Sequence, residues 1–162
     1  MDTDLIELSR RLGEALGRQA LTLVTAESCT GGWAAQVVTH TAGSSGWFER
    51  GFVTYSNAAK VGMLGVSDAT IARHGAVSPE TAAEMAAGAL THSNAMISLA
   101  ITGIAGPTGG SPDKPVGTVC FAWCGRGRTP DTDRQVFPGD RESVRRQAVV
   151  HALEGVYRRW GM

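Results

Sequence analysis

Short apolar segments with strand character alternate along the chain with segments of helical periodicity. Strands are predicted at residues 21–26, 51–56, 96–102 and 116–123, with a possible edge strand at 134–137. Helices are predicted at residues 4–18, 33–40, 57–64 and 79–91, and from Asp140 onward. Strands that alternate with helices form a sheet whose faces are covered by those helices, so the pattern predicts an α/β layered fold.

Two of the predicted helices begin with clear start signals. Ser78 is followed by Pro79 and Glu80, which is an N-cap residue, a proline in the first turn and an early acid. Asp140 is a similar N-cap for the final helix. The chain has no internal repeat and no linker-like segment, so we expect one domain over residues 1–162, with its core at about 5–157.

Charge and hydropathy exclude several classes of partner. The 162 residues carry 15 basic and 15 acidic side chains, which gives no positive field for nucleic acid or anionic membranes. No apolar run approaches the roughly 20 residues of a membrane-spanning helix, and no signal peptide is apparent. We therefore expect a cytoplasmic protein without nucleic-acid or membrane partners.

The sulfur and imidazole side chains do not form a metal-binding pattern. The three cysteines match no zinc or redox spacing, and the four histidines include no H-x-x-x-H pair. Buried free thiols are the expected state of Cys29, Cys120 and Cys124. The sequence thus predicts a protein that needs neither a metal nor another cofactor.

A first polar constellation, E-S-C-T-G-G, joins a predicted strand to a predicted helix at residues 27–32. N–H groups at such a helix start are free to point at an anion or a carbonyl oxygen. An equally good interpretation is structural, in which Ser28 or Thr30 caps the helix and Gly31 and Gly32 allow a tight turn.

A second constellation surrounds the strand at 51–56. Gly43, Ser44 and Ser45 precede it, and Tyr55 and Lys60 follow, where Lys60 is one of only two lysines. A neutral lysine can act as the base for a serine nucleophile if burial lowers the pKa of its amino group. A solvated lysine and a half-buried tyrosine are the ordinary alternative.

The third constellation is the glycine-rich loop at residues 103–111, directly after a predicted strand. Such a loop can turn its N–H groups toward a phosphate, although it matches neither the Walker nor the dinucleotide-binding pattern. A plain structural turn is equally consistent with its composition. Four further cations are candidates for contact with an anion, and exposure to solvent is the ordinary alternative: Lys114, Arg141, Arg145 and Arg146.

Five motifs together closely resemble the CinA C-terminal domain family, in the family's order from about residue 5 to 157. They are A-E-S-C-T-G-G, A-G-S-S-x-W-F-x-R-G-F-V-T-Y-S-N-x-A-K, H-G-A-V-S, S-L-A-I-T-G-I-A-G-P-x-G-G with K-P-V-G-T-V, and G-D-R-E-x-V-R-R-Q-A. The resemblance implies a three-layer α/β/α domain with a mixed, mostly parallel sheet. It also implies the activity of the stand-alone members, which hydrolyse nicotinamide mononucleotide to nicotinate mononucleotide and ammonia.

The resemblance also implies roles for individual residues. Ser45 is the preferred nucleophile, with Lys60 as its base and Tyr55 as a proton relay or oxyanion partner. Ser28 is the second candidate for the nucleophile and Cys29 the third. N–H groups near Ser45 or at 30–32 would stabilise the oxyanion. The residues expected to bind substrate are Thr30, Gly31, Gly32, Gly103, Ala105, Gly106, Gly109, Gly110, Arg141 and Arg145.

Two other functions compete with the amidohydrolase. One is a nucleotide-sensing or protein-interaction module that keeps the pocket but turns over slowly. The other is a phosphohydrolase, which is disfavoured because no paired Asp/Glu motif suggests a magnesium site. A homodimer is the default expectation for the assembly.

Overall fold

A five-stranded mixed sheet organises residues 2–161, which are the residues that the structure, a computed structural model, describes. The strands are β1 (Leu23–Glu27), β2 (Phe48–Val53), β3 (Ile97–Gly103), β4 (Thr118–Gly125) and β5 (Asp131–Val136). Their spatial order is β2-β1-β3-β4-β5. Strand β1 pairs in parallel with β2 and β3, whereas β4 is antiparallel to both β3 and β5. Four strands therefore run in one direction and β4 in the other.

Helices cover both faces of this sheet. They are α1 (Thr3–Arg18), α2 (Trp33–His40), α3 (Asn57–Leu64), α4 (Asp68–His74), α5 (Pro79–Thr91) and α6 (Arg141–Trp160). Core side chains of α1, α2 and α6 share one hydrophobic cluster, and those of α3 and α5 share another on the opposite face. The predicted three-layer α/β/α fold with a mixed sheet is confirmed.

The two faces of the sheet carry side chains of different size. Because successive strand residues point to opposite faces, Leu99 and Ile101 of β3 face the first cluster while Ala100 faces the second. The second face is built largely from small residues, and the helix packed on it, α5, is itself rich in alanine. Small side chains on both partners let α5 lie close to the sheet.

Some elements differ from the sequence-based prediction. Helix α4 was not predicted, and none of its residues is buried, so it has no apolar stripe to reveal it. Strand β5 begins at Asp131 rather than at 134. The prediction started it too late because an exposed edge strand tolerates polar residues, which give no apolar strand pattern. The turn-rich segment before β2 contains a one-turn 3₁₀ helix at Ser44–Gly46, and β2 already begins at Phe48. Within residues 2–161, no helix is long and apolar enough to cross a membrane.

Candidate active site

A cavity of about 270 Å³ opens at the edge of the sheet where the parallel strands β1, β2 and β3 end. Ser28 follows β1, Tyr55 follows β2 and Gly103 closes β3, and all three line the cavity. The carboxyl ends of parallel strands are where open α/β sheets bind ligands. A larger depression of about 580 Å³ along α4 contains neither a serine nor a lysine. The cavity at the strand ends is therefore the candidate active site.

Lys60 and Ser28 form a buried pair within this cavity. Lys60 lies in the first turn of α3, is only 2% exposed, and its Nζ lies 3.1 Å from Ser28 Oγ and 3.3 Å from the carbonyl oxygen of Thr54. Burial lowers the pKa of the Lys60 amino group, and this effect outweighs the opposing influence of Cys29. A neutral amine at this distance can accept the proton of a serine hydroxyl.

Glu27 holds the turn that carries Ser28. Its fully buried carboxylate accepts hydrogen bonds from Thr30 Oγ1 at 2.6 Å and from the N–H groups of Ala34 at 2.9 Å and Ala35 at 3.0 Å. A negative charge at the start of α2 is favoured because the N–H groups of a helix start lack partners in the helix itself. Sequence reasoning named Glu27 only as part of a motif and missed this role, although an acid shortly before a helix start is a recognisable signal.

Thr30, Gly31 and Gly32 shape the turn after Ser28 and do not line the cavity. The hydroxyl of Thr30 donates its hydrogen bond to the Glu27 carboxylate. Gly31 and Gly32 have positive φ values of 60° and 99°, which favour glycine. The structure places all three outside the lining of the cavity, which favours the structural interpretation of this motif, and their contact with substrate stays a prediction.

The two arginines expected at the substrate have different surroundings. Arg141 lines the cavity, where its guanidinium donates to the carbonyl oxygen of Gly106 at 2.7 Å and to the Tyr55 hydroxyl at 3.0 Å. Arg145 does not line it, and its guanidinium donates to the carbonyl oxygens of Cys29 at 3.0 Å and Thr30 at 3.2 Å. Arg145 therefore stabilises the turn after Ser28 and does not line the cavity.

The glycine-rich loop after β3 forms one wall of the cavity. Gly103, Ala105, Gly106 and Gly109 line it as expected. Gly110 does not, and a Cβ there would lie 2.7 Å from the backbone nitrogen of Val116, so this glycine serves close packing. Sequence reasoning gave no role to the remaining lining residues, which are Asn57, Ala76, Val77, Thr102, Ile104 and Thr108.

Ser45 lies at the opposite end of the sheet from Lys60. It is exposed in the 3₁₀ turn before β2, next to Trp47, whose carbonyl oxygen accepts a hydrogen bond from Leu23 at the start of β1. Ser28 follows the other end of that same strand. The expectation that Ser45 lies within reach of Lys60 and Tyr55 is therefore corrected, and Ser28 takes that position.

Cys29 lines the cavity beside Ser28 but is a poor nucleophile there. The side chain is 6% exposed, and burial raises the pKa of its thiol to about 12. Because the thiolate is the reactive form, a thiol with so high a pKa is almost entirely unreactive near neutral pH.

The fold and the site define an α/β protein with a buried serine–lysine pair at the carboxyl ends of its parallel strands. The model of the CinA C-terminal domain family matches residues 5–160. The chain belongs to the CinA C-terminal domain family.

Similar proteins cover nearly the whole chain. The nicotinamide-nucleotide amidohydrolase PncC of Escherichia coli strain K12 is 53% identical over 159 residues, which are 98% of this chain and 96% of that protein. The protein of the same name from Pseudomonas putida is 52% identical and covers 92% of each chain. The crystal structure of the competence/damage inducible protein CihA from Agrobacterium tumefaciens superposes with a TM-score of 0.94 at 44% identity, covering 98% of this chain and 96% of that one.

Proposed function

We propose that this chain is an amidohydrolase that converts nicotinamide mononucleotide to nicotinate mononucleotide and ammonia. The observation that carries the proposal is the 3.1 Å contact between Lys60 Nζ and Ser28 Oγ in a cavity at the strand ends. The name shared by the relatives from E. coli and P. putida supports the choice of substrate. A cytoplasmic location and a homodimeric assembly remain predictions.

The proposed reaction is acyl transfer through Ser28. Neutral Lys60 takes the hydroxyl proton as Ser28 Oγ attacks the carboxamide carbon. The resulting ammonium then gives that proton to the carboxamide nitrogen, which leaves as ammonia when the C–N bond breaks. Water then attacks the ester carbon, Lys60 takes a proton from that water, and Ser28 recovers its own proton as the acid is released. Amide bonds resist hydrolysis because an unprotonated amide nitrogen is a poor leaving group, so this step requires a base that also returns a proton to that nitrogen.

Backbone N–H groups beside Ser28 are the proposed donors to the oxyanion. Cys29 lines the cavity, and within residues 2–161 its N–H donates to no other group, whereas the N–H of Gly31 is engaged by the Ser28 carbonyl oxygen. A donor one residue after the nucleophile is well placed for the negative oxygen of a tetrahedral intermediate.

Arg141 and the loop at 103–109 are the proposed binding site of the ribose phosphate. The N–H groups of Gly106 and Gly109 have no protein acceptor within the part of the chain that the structure describes. Together with the Arg141 guanidinium they offer several donors to a phosphate dianion. Tyr55, 61% exposed at the mouth of the cavity, is tied to Arg141 through its hydroxyl.

Two alternatives make different predictions. A nucleotide-sensing or protein-interaction module would bind the nucleotide with little turnover, although such a module has no need of a buried lysine beside a serine. A phosphohydrolase would release phosphate and depend on a divalent cation.

The test is an assay of purified protein with nicotinamide mononucleotide in the presence of EDTA. The proposal predicts equimolar ammonia and nicotinate mononucleotide and no free phosphate. Absence of both products would overturn the amidohydrolase, and activity that EDTA abolishes would overturn the metal-independent mechanism.

A further inference from the structure

The wall of the cavity that faces the glycine-rich loop is the segment between α4 and α5. Ala76 and Val77 of this segment line the cavity. The backbone carbonyls of three successive residues, His74, Gly75 and Ala76, each accept a hydrogen bond from a side chain. Such a run of side-chain contacts to loop carbonyls fixes the path of a segment that has no sheet or helix partner of its own.

The donors to these carbonyls come from different parts of the fold. Lys114 Nζ donates to His74 at 2.6 Å, Ser78 and Thr81 at the start of α5 donate to Gly75 at 2.9 and 2.7 Å, and Thr102 of β3 donates to Ala76 at 2.8 Å. Of these donors, Lys114 lies in the connection between the glycine-rich loop and β4. Its contact therefore joins the connection after the glycine-rich loop to the segment between α4 and α5.

Hydrogen bonds hold the backbone around Lys114 in place. The turn at 111–114 is closed by Ser111 N–H donating to the Lys114 carbonyl at 2.8 Å and by Lys114 N–H donating to Ser111 Oγ at 3.1 Å. Arg134 of β5 donates to the carbonyl of Asp113 at 2.5 Å. A side chain that leaves an anchored turn loses less conformational freedom when it makes a contact.

The residue at position 75 is compatible with this contact only because it lacks a side chain. A Cβ on Gly75 would lie 2.8 Å from Lys114 Nζ, and the φ of Gly75 is +86°. Glycine adopts that conformation without strain and leaves the ammonium room to reach the C-terminal carbonyl of α4. A positive charge is also favourable at the carboxyl end of a helix.

We propose that Lys114 is a positioning residue that holds the wall at 74–77 against the glycine-rich loop and so sets the affinity of the cavity for its substrate. The inference rests on the proposed function for the identity of that substrate. Lys114 itself does not line the cavity, and the wall it holds includes neither Ser28 nor Lys60. Loosening the wall should therefore weaken binding and leave the chemical step intact.

The test compares Lys114→Met, which keeps an unbranched side chain one atom shorter but loses the donor, with Lys114→Arg, which keeps a donor and the charge. For Lys114→Met we expect KM for nicotinamide mononucleotide to rise about tenfold, as for one lost hydrogen bond to a charged group, with kcat changed less than about twofold. Lys114→Arg should recover most of the affinity. Arg158→Met, at an exposed site on α6, controls for the loss of one positive charge and should behave as wild type.

Limited trypsin digestion gives a readout that does not depend on catalysis. Arg73 is exposed directly before the segment, so release of the His74 carbonyl should speed cleavage after Arg73 in Lys114→Met but not in Lys114→Arg. An unchanged KM, or a fall in kcat without a rise in KM, would overturn the inference. If wild-type protein released no ammonia, the proposed function would fail, and cleavage after Arg73 alone would decide whether Lys114 holds the segment.

Discussion

Lys60 is the residue on which the chemistry of the site depends. Its amino group is almost fully buried, and the contacts described for Nζ are a serine hydroxyl and a backbone carbonyl. Since no carboxylate of residues 2–161 pairs with it, the charged form loses hydration without gaining an ion pair, which is why the pKa of Lys60 falls. The same burial that makes the protonated lysine costly makes the neutral one available as a base.

The lowered pKa of Lys60 predicts the pH dependence of the reaction. Because the neutral amine is the active form, kcat/KM should rise with pH and reach a plateau above the pKa of Lys60, with an inflection below the ordinary value of 10.5. Lys60→Arg should lose activity by at least about 100-fold at every pH, because a guanidinium stays protonated. An inflection at or above 10.5, or an active Lys60→Arg variant, would contradict this role.

At this scale the sequence was sufficient to find Lys60 but not to choose its serine. The rarity of lysine and the T-Y-S-N-x-A-K motif singled Lys60 out. The family resemblance favoured Ser45, yet Ser45 precedes β2 whereas Lys60 follows it. Side chains that follow parallel strands meet at one edge of the sheet, and Ser28, after β1, satisfies that rule.

At the scale of elements, the contact between α3 and α5 positions Lys60. Gly88 of α5 lies against the last turn of α3, and a Cβ added there would lie only 1.8 Å from the carbonyl oxygen of Leu64. Backbone cannot move away as a flexible side chain can. The absence of a side chain at residue 88 is therefore what allows α3 to lie close to α5 and carry Lys60 to Ser28.

Two glycine substitutions test this contact. Gly88→Ala should destabilise the protein by about 2 kcal/mol despite the better helix propensity of alanine, which lowers Tm by about 4–8 °C, and should reduce turnover by displacing α3. Gly62→Ala is the matched control, because within residues 2–161 the added Cβ would meet no atom within 4 Å beyond its chain neighbours and its own helix backbone. Alanine should stabilise α3 there by about 0.5–1 kcal/mol. Thermal unfolding and the ammonia assay measure both effects, and equal stability of the two variants would refute the close-packing account.

Elements with local signals were predictable, and those fixed by tertiary contacts were not. The caps at Ser78 and Asp140 begin α5 and α6 as expected. Helix α4 and the wall at 74–77 have no apolar periodicity that would reveal them in the sequence. Their positions depend instead on the side chains of Thr102 and Lys114, which are distant in sequence. In the sequence, residues 74–78 are recognisable only as the motif H-G-A-V-S, and their place in the cavity wall is not.

At the scale of the whole molecule, the zero net charge fits a small anionic ligand. A balanced chain offers no broad positive surface, so recognition of one phosphate has to come from a local group of donors. Arg141 at the start of α6 and the loop after β3 provide such a group at the cavity. The alternation of strands and helices predicted this architecture correctly, because each element must bury one face against another.

Ligand binding should be visible in the stability of the whole chain. Ser28→Ala keeps the cavity but removes the proposed nucleophile, so it should bind nicotinamide mononucleotide without consuming it. At a concentration of about 100 times Kd, binding adds about 2.7 kcal/mol to the free energy of unfolding and raises Tm by about 5–10 °C. Nicotinamide alone at the same concentration should raise Tm less because it lacks the phosphate. Equal shifts with both ligands would contradict a phosphate site at Arg141.

The central claim is that Ser28, paired with Lys60, is the nucleophile of an amidohydrolase. The most direct measurement is kcat for ammonia release from nicotinamide mononucleotide by Ser28→Ala and Ser45→Ala, each compared with wild type. We predict a loss of at least about 1000-fold for Ser28→Ala and a change of less than about twofold for Ser45→Ala, whose side chain is exposed at the far end of the sheet. Near-normal turnover by Ser28→Ala, or loss of turnover by Ser45→Ala alone, would contradict the account.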